Sequence, residues 1–305
     1  MSWLKALRNK GKTPSSVQGL PGDVPPDWTP APERSHTLGL RNEASDDEYA
    51  SAEAFCARHP LETPKLLSSD MVERIDVEGC RAWTMEWPGS PRFIGSIHSA
   101  DEKRTPEVTK VTTADGCGNV CLLSNLPLLA GLYEIQGKSG VYYEVRIQKM
   151  NGIVAIGTVC RPYPDWRFPG WNRASVGLHL DDMRKFFEDP DGGRDYSPLL
   201  TSFSVGSVIG CGYDFTSSSV FYTYDGRRLP DAFGGVYLPR TQYDVYAAIG
   251  VEGACEFEVN FGSDLFKWKE GNEWAWRVEG HVGRLSGTSA TFKDELPTYE
   301  EARRR

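Results

Sequence analysis

The strongest pattern along the chain is a series of short runs in which apolar and polar residues alternate. Residues 141–148 place Val, Tyr, Val and Ile on one face and Tyr, Glu, Arg and Gln on the other. This alternation predicts a strand with one buried face and one face toward solvent. Residues 153–159 are almost entirely apolar, as in a central strand. Asp225-Gly226, between two later runs, is typical of a hairpin turn.

Further runs of this kind begin near residue 81 and are separated by Pro-Gly, Asp-Glu-Lys and Asp-Gly turn signals. They cover residues 81–87, 92–97, 108–113, 120–123, 205–215, 220–224, 245–251 and 256–261. Many short antiparallel strands predict an all-β sandwich, which we place at residues 81–280. Trp268, Trp274 and Trp276 follow the last run, and we expect them to cover the sandwich edge.

The first 80 residues have a different character. Residues 5–12 contain four basic residues, and six prolines follow between residues 14 and 32, which predicts a disordered segment over residues 1–35. A short amphipathic turn on a membrane surface, built on Trp3, remains an alternative there. Within residues 36–80, Ser45 and Glu48 have capping-box spacing and apolar residues recur at helical intervals. This extension is predicted to form one short helix that packs on the sandwich in a structural role.

Composition and charge narrow the classes of function. The 305-residue chain has a formal net charge of −8, which argues against a nucleic-acid partner. Its seven cysteines are scattered and its N-terminus lacks the apolar core of a signal peptide, so we expect a cytoplasmic protein with reduced thiols. The longest apolar stretch, residues 126–135, is interrupted by Pro127 and Gly131 and is too short to span a bilayer.

Several motifs in the β-rich region resemble the SPRY domain in their order and spacing. They are Gly140-Val-Tyr-Tyr-Glu-Val, Val154-Ala-Ile-Gly, Arg167-Phe-Pro-Gly-Trp171, Ser175-Val-Gly-Leu-His179, Gly206-Ser-Val-Ile-Gly-Cys-Gly212, Phe221-Tyr-Thr-Tyr-Asp-Gly226 and Val259-Asn-Phe-Gly262. The Arg-Phe-Pro-Gly-Trp element is most similar to the subgroup that includes Ran-binding protein M and the fungal SPRY adaptors of WW-domain ubiquitin ligases. The resemblance implies an antiparallel SPRY-like β-sandwich, with its core at residues 131–262, that binds another protein.

The sequence contains no strong motif for catalysis or metal binding. Cys117 and Cys121 lack the second ligand pair that a zinc site needs. An acidic cluster holds His179, Asp181, Asp182, Glu188, Asp189, Asp191 and Asp195. Part of it resembles a calcium loop, but Pro190 and Leu200 stand at positions where such a loop needs other residues. We expect no enzyme activity, metal or cofactor, and a structural role for His179.

Residues 161–171 form the candidate partner-binding loop. The loop is rich in Tyr, Trp and Arg, which are enriched at interface hot spots, and three prolines stiffen it. In the SPRY family the ligand surface lies on loops at one end of the sandwich, which implies contributions from residues 137–139 and 216–219 as well. The predicted contact residues are Arg161, Tyr163, Pro164, Asp165, Trp166, Arg167, Phe168 and Trp171. Tyr163, Asp165 and Trp166 are expected to contact a partner most directly, and Trp171 to pack partly inward.

Residues 281–305 are predicted to form a flexible tail with a short interaction motif. Leu296, Pro297 and Tyr299 resemble the Leu/Pro-Pro-x-Tyr ligands of WW domains, in which proline and tyrosine fill two pockets. The hypothesis is an adaptor whose SPRY loops bind a cargo protein and whose tail recruits a WW-domain HECT ubiquitin ligase. We place it in the cytoplasm, with peripheral contact to endosomal membranes as an option.

Two alternatives to the adaptor hypothesis stay open. The chain could be a non-catalytic SPRY scaffold subunit of a larger complex, in which case the motif at Tyr299 is incidental. It could also be a lectin-like sandwich that binds glycans through Trp166. Loss of WW-domain binding on Tyr299→Ala separates the adaptor from the scaffold, and a glycan array tests the lectin.

Overall fold

Two antiparallel sheets packed face to face form the body of the protein. The computed structural model describes residues 45–98, 108–135, 137–190, 192–197, 200, 202–234 and 243–282. The strands are β1 (Gly95–His98), β2 (Thr109–Thr113), β3 (Val120–Leu129), β4 (Gly140–Met150), β5 (Ile153–Cys160), β6 (Ser175–His179), β7 (Arg184–Phe187), β8 (Arg194–Asp195), β9 (Val208–Asp214), β10 (Ser219–Tyr224), β11 (Arg227–Phe233), β12 (Val245–Glu252) and β13 (Cys255–Asn260). One sheet has the order β1-β2-β13-β4-β9-β10-β11, and the other has the order β3-β12-β5-β6-β7-β8. The predicted all-β antiparallel sandwich is confirmed.

The core lies between the sheets, where alternate residues of each strand meet. In β4, Tyr143 and Ile147 point inward and are fully buried. The hydroxyl of Tyr143 donates to the carbonyl oxygen of Gly157 on the opposite sheet at 2.6 Å, and that of Tyr222 donates to the carbonyl oxygen of Ile156 at 3.1 Å. These aromatic residues therefore fill the core without leaving a buried hydroxyl unpaired.

The N-terminal extension contains two helices where one was predicted. They are α1 (Asp46–Arg58) and α2 (Ser69–Glu78). The side chain of Ser68 caps α2 by accepting from the backbone N–H of Met71 at 3.3 Å, and Gly79 ends it at a positive φ of 58°. The second helix was not predicted, and Ile75 is its one buried residue.

The strand predicted at residues 81–87 is wrong. Gly79–Ala82 forms a 3₁₀ turn, and the following segment makes a single bridge, from Met85 to Ser124 at the edge of β3. The backbone N–H of Glu86 also donates to the carbonyl oxygen of Leu123 at 2.8 Å. The segment thus protects a sheet edge without extending the sheet.

The outer face of β4 was predicted to be solvated, and the structure shows that it is covered. Tyr142 is fully buried and Glu144 is 4% exposed. They lie beneath residues 266–276, which we call the aromatic cover. Its buried side chains join a cluster with the sheet that comprises Tyr142, Phe221, Phe266, Trp268 and Trp276. The tryptophans therefore cover a sheet face, not the predicted edge, and Trp274 is 60% exposed.

The predicted disordered segment 1–35 and the tail motif at Leu296, Pro297 and Tyr299 lie outside the described residues. Across the part of the chain that is described, no helix is both long enough and apolar enough to cross a membrane. The boundaries proposed for the extension, the sandwich and the tail stay predictions.

Candidate protein-binding site

The loop 161–171 folds back onto the outer face of the six-stranded sheet. Two glycines of this sheet, Gly177 on β6 and Gly250 on β12, make this close approach possible because they carry no side chain. A Cβ on Gly177 would lie 2.0 Å from the carbonyl oxygen of Pro169, and one on Gly250 would lie 2.6 Å from a ring carbon of Phe168. Phe168 and Pro169 therefore rest directly on the sheet, so most of the loop belongs to the interior.

His179 of β6 anchors the inner side of the loop. Its ring stacks on Phe186 at 4.0 Å between centroids and meets Phe168 edge-on at 5.6 Å. Burial lowers the pKa of His179 to about 3, so the ring is neutral near pH 7. Its Nε2 atom lies 3.1 Å from the carbonyl oxygen of Pro169, which fixes Nε2 as the protonated nitrogen. The structural role predicted for His179 agrees with this contact.

Arg167 and Trp171 also lie inside the protein. Arg167 is 1% exposed, and its Nε donates to the side-chain oxygen of Asn172 at 2.9 Å. Its guanidinium lies 4.5 Å from the centre of the Trp171 ring. Burial lowers the pKa of Arg167 from its ordinary value. A partner cannot reach either side chain in this conformation.

Tyr163 holds the loop closed and is itself buried. Its hydroxyl donates to the carbonyl oxygen of Phe168 at 2.6 Å and accepts from the backbone N–H of Asn172 at 3.3 Å. Tyr163 was predicted to be a direct contact, but these bonds place it in the scaffold of the loop. The predicted contact residues that are buried are Tyr163, Pro164, Arg167, Phe168 and Trp171.

Arg161 is half-buried at the start of the loop. Its Nη2 atom pairs with the Glu86 carboxylate at 2.8 Å and donates to the carbonyl oxygen of Ser124 at 2.8 Å. The guanidinium also lies 4.1 Å from the centre of the Tyr246 ring. Arg161 therefore ties the loop to the segment that protects β3. Asp165 and Trp166 are the predicted contacts left accessible without competing bonds of this kind.

Helix α1 packs on the outside of the loop and holds its middle in place. The Arg173 guanidinium donates to the carbonyl oxygens of Cys56, in the last turn of α1, and of His59, the residue that caps its C-terminus. Carbonyl groups at a helix C-terminus lack partners within the helix. Trp166 packs edge-on against Phe55 with ring centres 5.7 Å apart. The helix and the loop tip therefore form one surface.

A groove of about 430 Å³ lies between α1, the segment 90–92 and the loop tip. Its lining residues are Asp47, Glu48, Ser51, Ser90, Pro91, Arg92, Asp165 and Trp166. The Arg92 guanidinium and the Glu48 carboxylate pair across it at 2.7 Å. By contrast, the side chains of Asp47 and Asp165 make no hydrogen bond or ion pair with any described residue.

The sequence predicts one wall of this groove and not the other. Asp165 and Trp166 were predicted to contact a partner, whereas Glu48 and Arg92 were not. The capping box located the start of α1, but no local pattern shows which distant segment a helix packs against. The loop 137–139 lies elsewhere, since the backbone N–H of Ser139 donates to the carbonyl oxygen of Ala275 in the aromatic cover at 2.9 Å. The loop 216–219 begins beside it, since the backbone N–H of Phe215 donates to the carbonyl oxygen of Ser139 at 2.8 Å.

Comparison with known proteins assigns most of the sandwich to a known domain family. Residues 140–264 match the family model described as the SPRY domain. This part of the chain is a SPRY domain. Helix α1 and the segment 90–92 lie outside the matched residues, so the groove combines one wall from the SPRY domain with one from its N-terminal flank.

Relatives from fungi match beyond the SPRY domain. Protein ssh4 of Sclerotinia sclerotiorum is 28% identical over 272 residues, which cover 88% of this chain and 47% of that protein. A SPRY domain-containing protein of Schizosaccharomyces pombe is 34% identical over 169 residues, covering 54% of this chain and 40% of that protein. This chain therefore spans about half the length of the curated relatives it matches.

Among solved structures, a human SPRY domain is 23% identical and aligns with a TM-score of 0.40. The alignment covers 55% of this chain and 97% of the human domain.

The titratable side chains of the described region show no arrangement suited to metal chemistry. No group of three or more His, Cys, Asp or Glu residues within it is placed to hold a metal ion. All seven cysteines are free and buried. Burial raises the pKa of Cys80 and of Cys211 to about 12, which keeps both thiols protonated and poorly nucleophilic near neutral pH.

Proposed function

We propose that this chain is a non-catalytic protein-interaction adaptor that binds a cargo protein in the groove between α1 and residues 161–171, the SPRY loop. One observation carries the proposal. The loop 161–171 is fixed along most of its length by buried contacts, yet it leaves Asp165 and Trp166 accessible beside a groove. A tryptophan held rigidly at a concave surface loses little entropy on binding, and tryptophan is enriched at interface hot spots.

The second half of the proposal concerns the tail. Leu296, Pro297 and Tyr299 recruit a WW-domain HECT ubiquitin ligase to the bound cargo. The support is the match of these residues to the WW-ligand pattern together with the presence of a cargo-binding domain on the same chain. Seven free cysteines suit a reducing compartment, so we place the adaptor in the cytoplasm, with peripheral contact to endosomal membranes.

Ligase recruitment is tested by binding of the full chain to the purified WW domains of a HECT ligase. The proposal predicts that Tyr299→Ala abolishes binding, because the tyrosine fills one of the two WW pockets. Thr298→Ala is the matched control, since this position between Pro297 and Tyr299 is variable in the motif, and it should bind like the wild type. Equal binding by the wild type and Tyr299→Ala would contradict recruitment through this motif.

Cargo binding is tested separately by proximity labelling in cells. The wild-type chain is compared with the double variant Asp165→Asn/Trp166→Ala, which alters the accessible loop tip and leaves the buried residues of the loop intact. The proposal predicts that a discrete set of labelled proteins disappears with the double variant. Trp274→Ala removes another exposed tryptophan, away from the groove, and should leave the set unchanged. An identical set from all three chains would overturn the cargo proposal.

A further inference from the structure

The groove beside Trp166 carries an excess of negative charge. Three carboxylates line it, from Asp47, Glu48 and Asp165, against one guanidinium, from Arg92. That guanidinium is already paired with Glu48 at 2.7 Å. Two carboxylates on opposite walls are therefore left without a cationic partner among the described residues.

Glu48 also acts on a carboxyl group that does not line the groove. The pKa of Glu252 is raised mainly by burial, and the nearby charges of Glu48 and Asp181 raise it further. A field of one sign at a concave surface attracts ligands of the opposite sign.

An apolar, aromatic surface stands next to these carboxylates. The Trp166 ring is fixed by its edge-on contact with Phe55 at 5.7 Å, and the exposed ring of Pro91 also lines the groove. Tryptophan is the aromatic side chain that binds cations best, and a guanidinium can stack flat on its face.

Helix stability accounts for some of the acidic residues but not for all of them. Asp46, Asp47 and Glu48 form the first turn of α1, where negative charge stabilises the positive end of the helix dipole. Asp165 has no such reason to be acidic, because it lies on the loop from the opposite wall. Its carboxylate and the Trp166 ring are adjacent in sequence and line the same groove.

We infer that the groove binds an extended segment of the partner that presents an arginine next to an apolar residue. The arginine guanidinium stacks on Trp166 and pairs with Asp165 and Asp47, and the apolar side chain lies against Pro91. Arginine fits better than lysine because its planar fork can both stack and bind a carboxylate through two N–H groups. Acidic and phosphorylated segments are repelled by the same carboxylates. This inference rests on the proposed function and adds the chemical class of the partner.

The test is selection of a displayed random heptapeptide library on the immobilised full chain, with Trp166→Ala used for counter-selection. The expected result is enrichment of peptides in which arginine neighbours an apolar residue. A synthetic peptide from the enriched set should bind about tenfold more weakly to Asp165→Asn, since one partner of a charged contact is lost. Its binding should also weaken as salt is raised.

Asp46→Asn is the matched control, because it removes a charge from the same helix turn at a position that does not line the groove. It should change the affinity by less than about twofold, as expected for a charge outside the contact. Asparagine has nearly the shape of aspartate, and thermal unfolding verifies that each variant is folded.

The selection can contradict the arginine inference alone, or the arginine inference together with the proposed binding site. Peptides that depend on Trp166 but lack a cationic residue would overturn the arginine inference and leave the proposed binding site standing. Failure to recover any peptide that depends on Trp166 would overturn both.

Discussion

The two outer faces of the sandwich are both covered by aromatic segments, yet the segments differ in how much they leave exposed. On the seven-stranded sheet, the aromatic cover packs Trp268 against Tyr142 with ring centres 4.7 Å apart, and Trp268 against Trp276 at 5.0 Å. The Glu144 carboxylate accepts from the backbone N–H groups of Lys267 and Trp268, both at 2.9 Å. Side chains of the strands therefore bind this cover to the sheet by hydrogen bonds and ring contacts.

On the six-stranded sheet, the strands have glycines where the covering segment packs, and not large side chains. The loop 161–171 lies directly against Gly177 and Gly250, and its middle, at Asp165 and Trp166, stays partly exposed beside α1. The two segments have similar residue types. The aromatic cover is closed and the loop 161–171 is partly open because the two segments pack on different neighbours. The composition of a segment does not show which neighbour it packs on.

The largest loss of stability is expected for a substitution at Trp268. Trp268→Ala removes a buried ring from the aromatic cluster and should lower the free energy of unfolding by about 4 kcal/mol. Trp274→Ala, which truncates an exposed ring of the same cover, should cost less than about 1 kcal/mol. Chemical denaturation of both variants measures the difference. Similar losses would show that the aromatic cover is not closed over Trp268.

The next effect concerns the glycines beneath the SPRY loop. Gly177→Ala places a Cβ 2.0 Å from the carbonyl oxygen of Pro169, a backbone atom that cannot rotate away. We expect a loss of about 3 kcal/mol in the free energy of unfolding, together with loss of cargo binding. Gly89→Ala is the control, since no atom lies within 4 Å of a Cβ built there. A Gly177→Ala variant as stable as this control would mean that the loop does not rest on the sheet.

A pH-dependent effect is expected at His179, beneath the same loop. Its pKa is about 3 in the folded protein and about 6.5 in an unfolded chain. Between these values the unfolded state binds a proton that the folded state does not, so stability is full above pH 6.5 and falls as the pH drops. The loss by pH 4.5 is about 2–3 kcal/mol relative to pH 7.

His179→Gln keeps a donor for the Pro169 carbonyl and removes the titrating ring. Subtracting the stability curves of variant and wild type cancels the contribution of other titrating groups. The difference should change by about 2–3 kcal/mol between pH 7 and pH 4.5. Parallel curves would show that His179 is not buried in its neutral form.

A smaller effect on stability than at Trp268, Gly177 or His179 is expected at Trp166, where the effect on binding is largest. Trp166→Ala removes a partly exposed ring and its contact with Phe55, so it should cost about 1 kcal/mol in the free energy of unfolding. Denaturation and cargo binding are measured on the same preparation. A loss as large as that of Trp268→Ala would place Trp166 in the core and remove it from the binding surface.

The sandwich could be predicted because its inward residues follow a period of two, as Val141, Tyr143, Val145 and Ile147 show. The covered outer face of β4 could not. Tyr142 and Glu144 sit at positions that look solvated, and Glu144 is buried because it accepts hydrogen bonds from a segment more than 120 residues away. No window around β4 contains that information.

Half of the candidate site could be predicted from the sequence, because that half lies within one short stretch of the chain. Asp165 and Trp166 belong to a loop whose composition is typical of interfaces. Tyr163 shares that composition, but its hydroxyl closes the loop on the Phe168 carbonyl. Arg92 reaches the groove through contacts between segments far apart along the chain. Contacts between such distant segments depend on the assembled fold.

In the proposed function, Asp165 and Trp166 at the tip of the SPRY loop contact the partner together with α1. A photo-crosslinking amino acid placed in turn at Asp165, Trp166 and Trp274 tests this most directly in cells. We expect crosslinks to a common partner from positions 165 and 166 and none to that partner from position 274. Crosslinks to a partner from position 274 alone would contradict it and would move the binding surface to the aromatic cover.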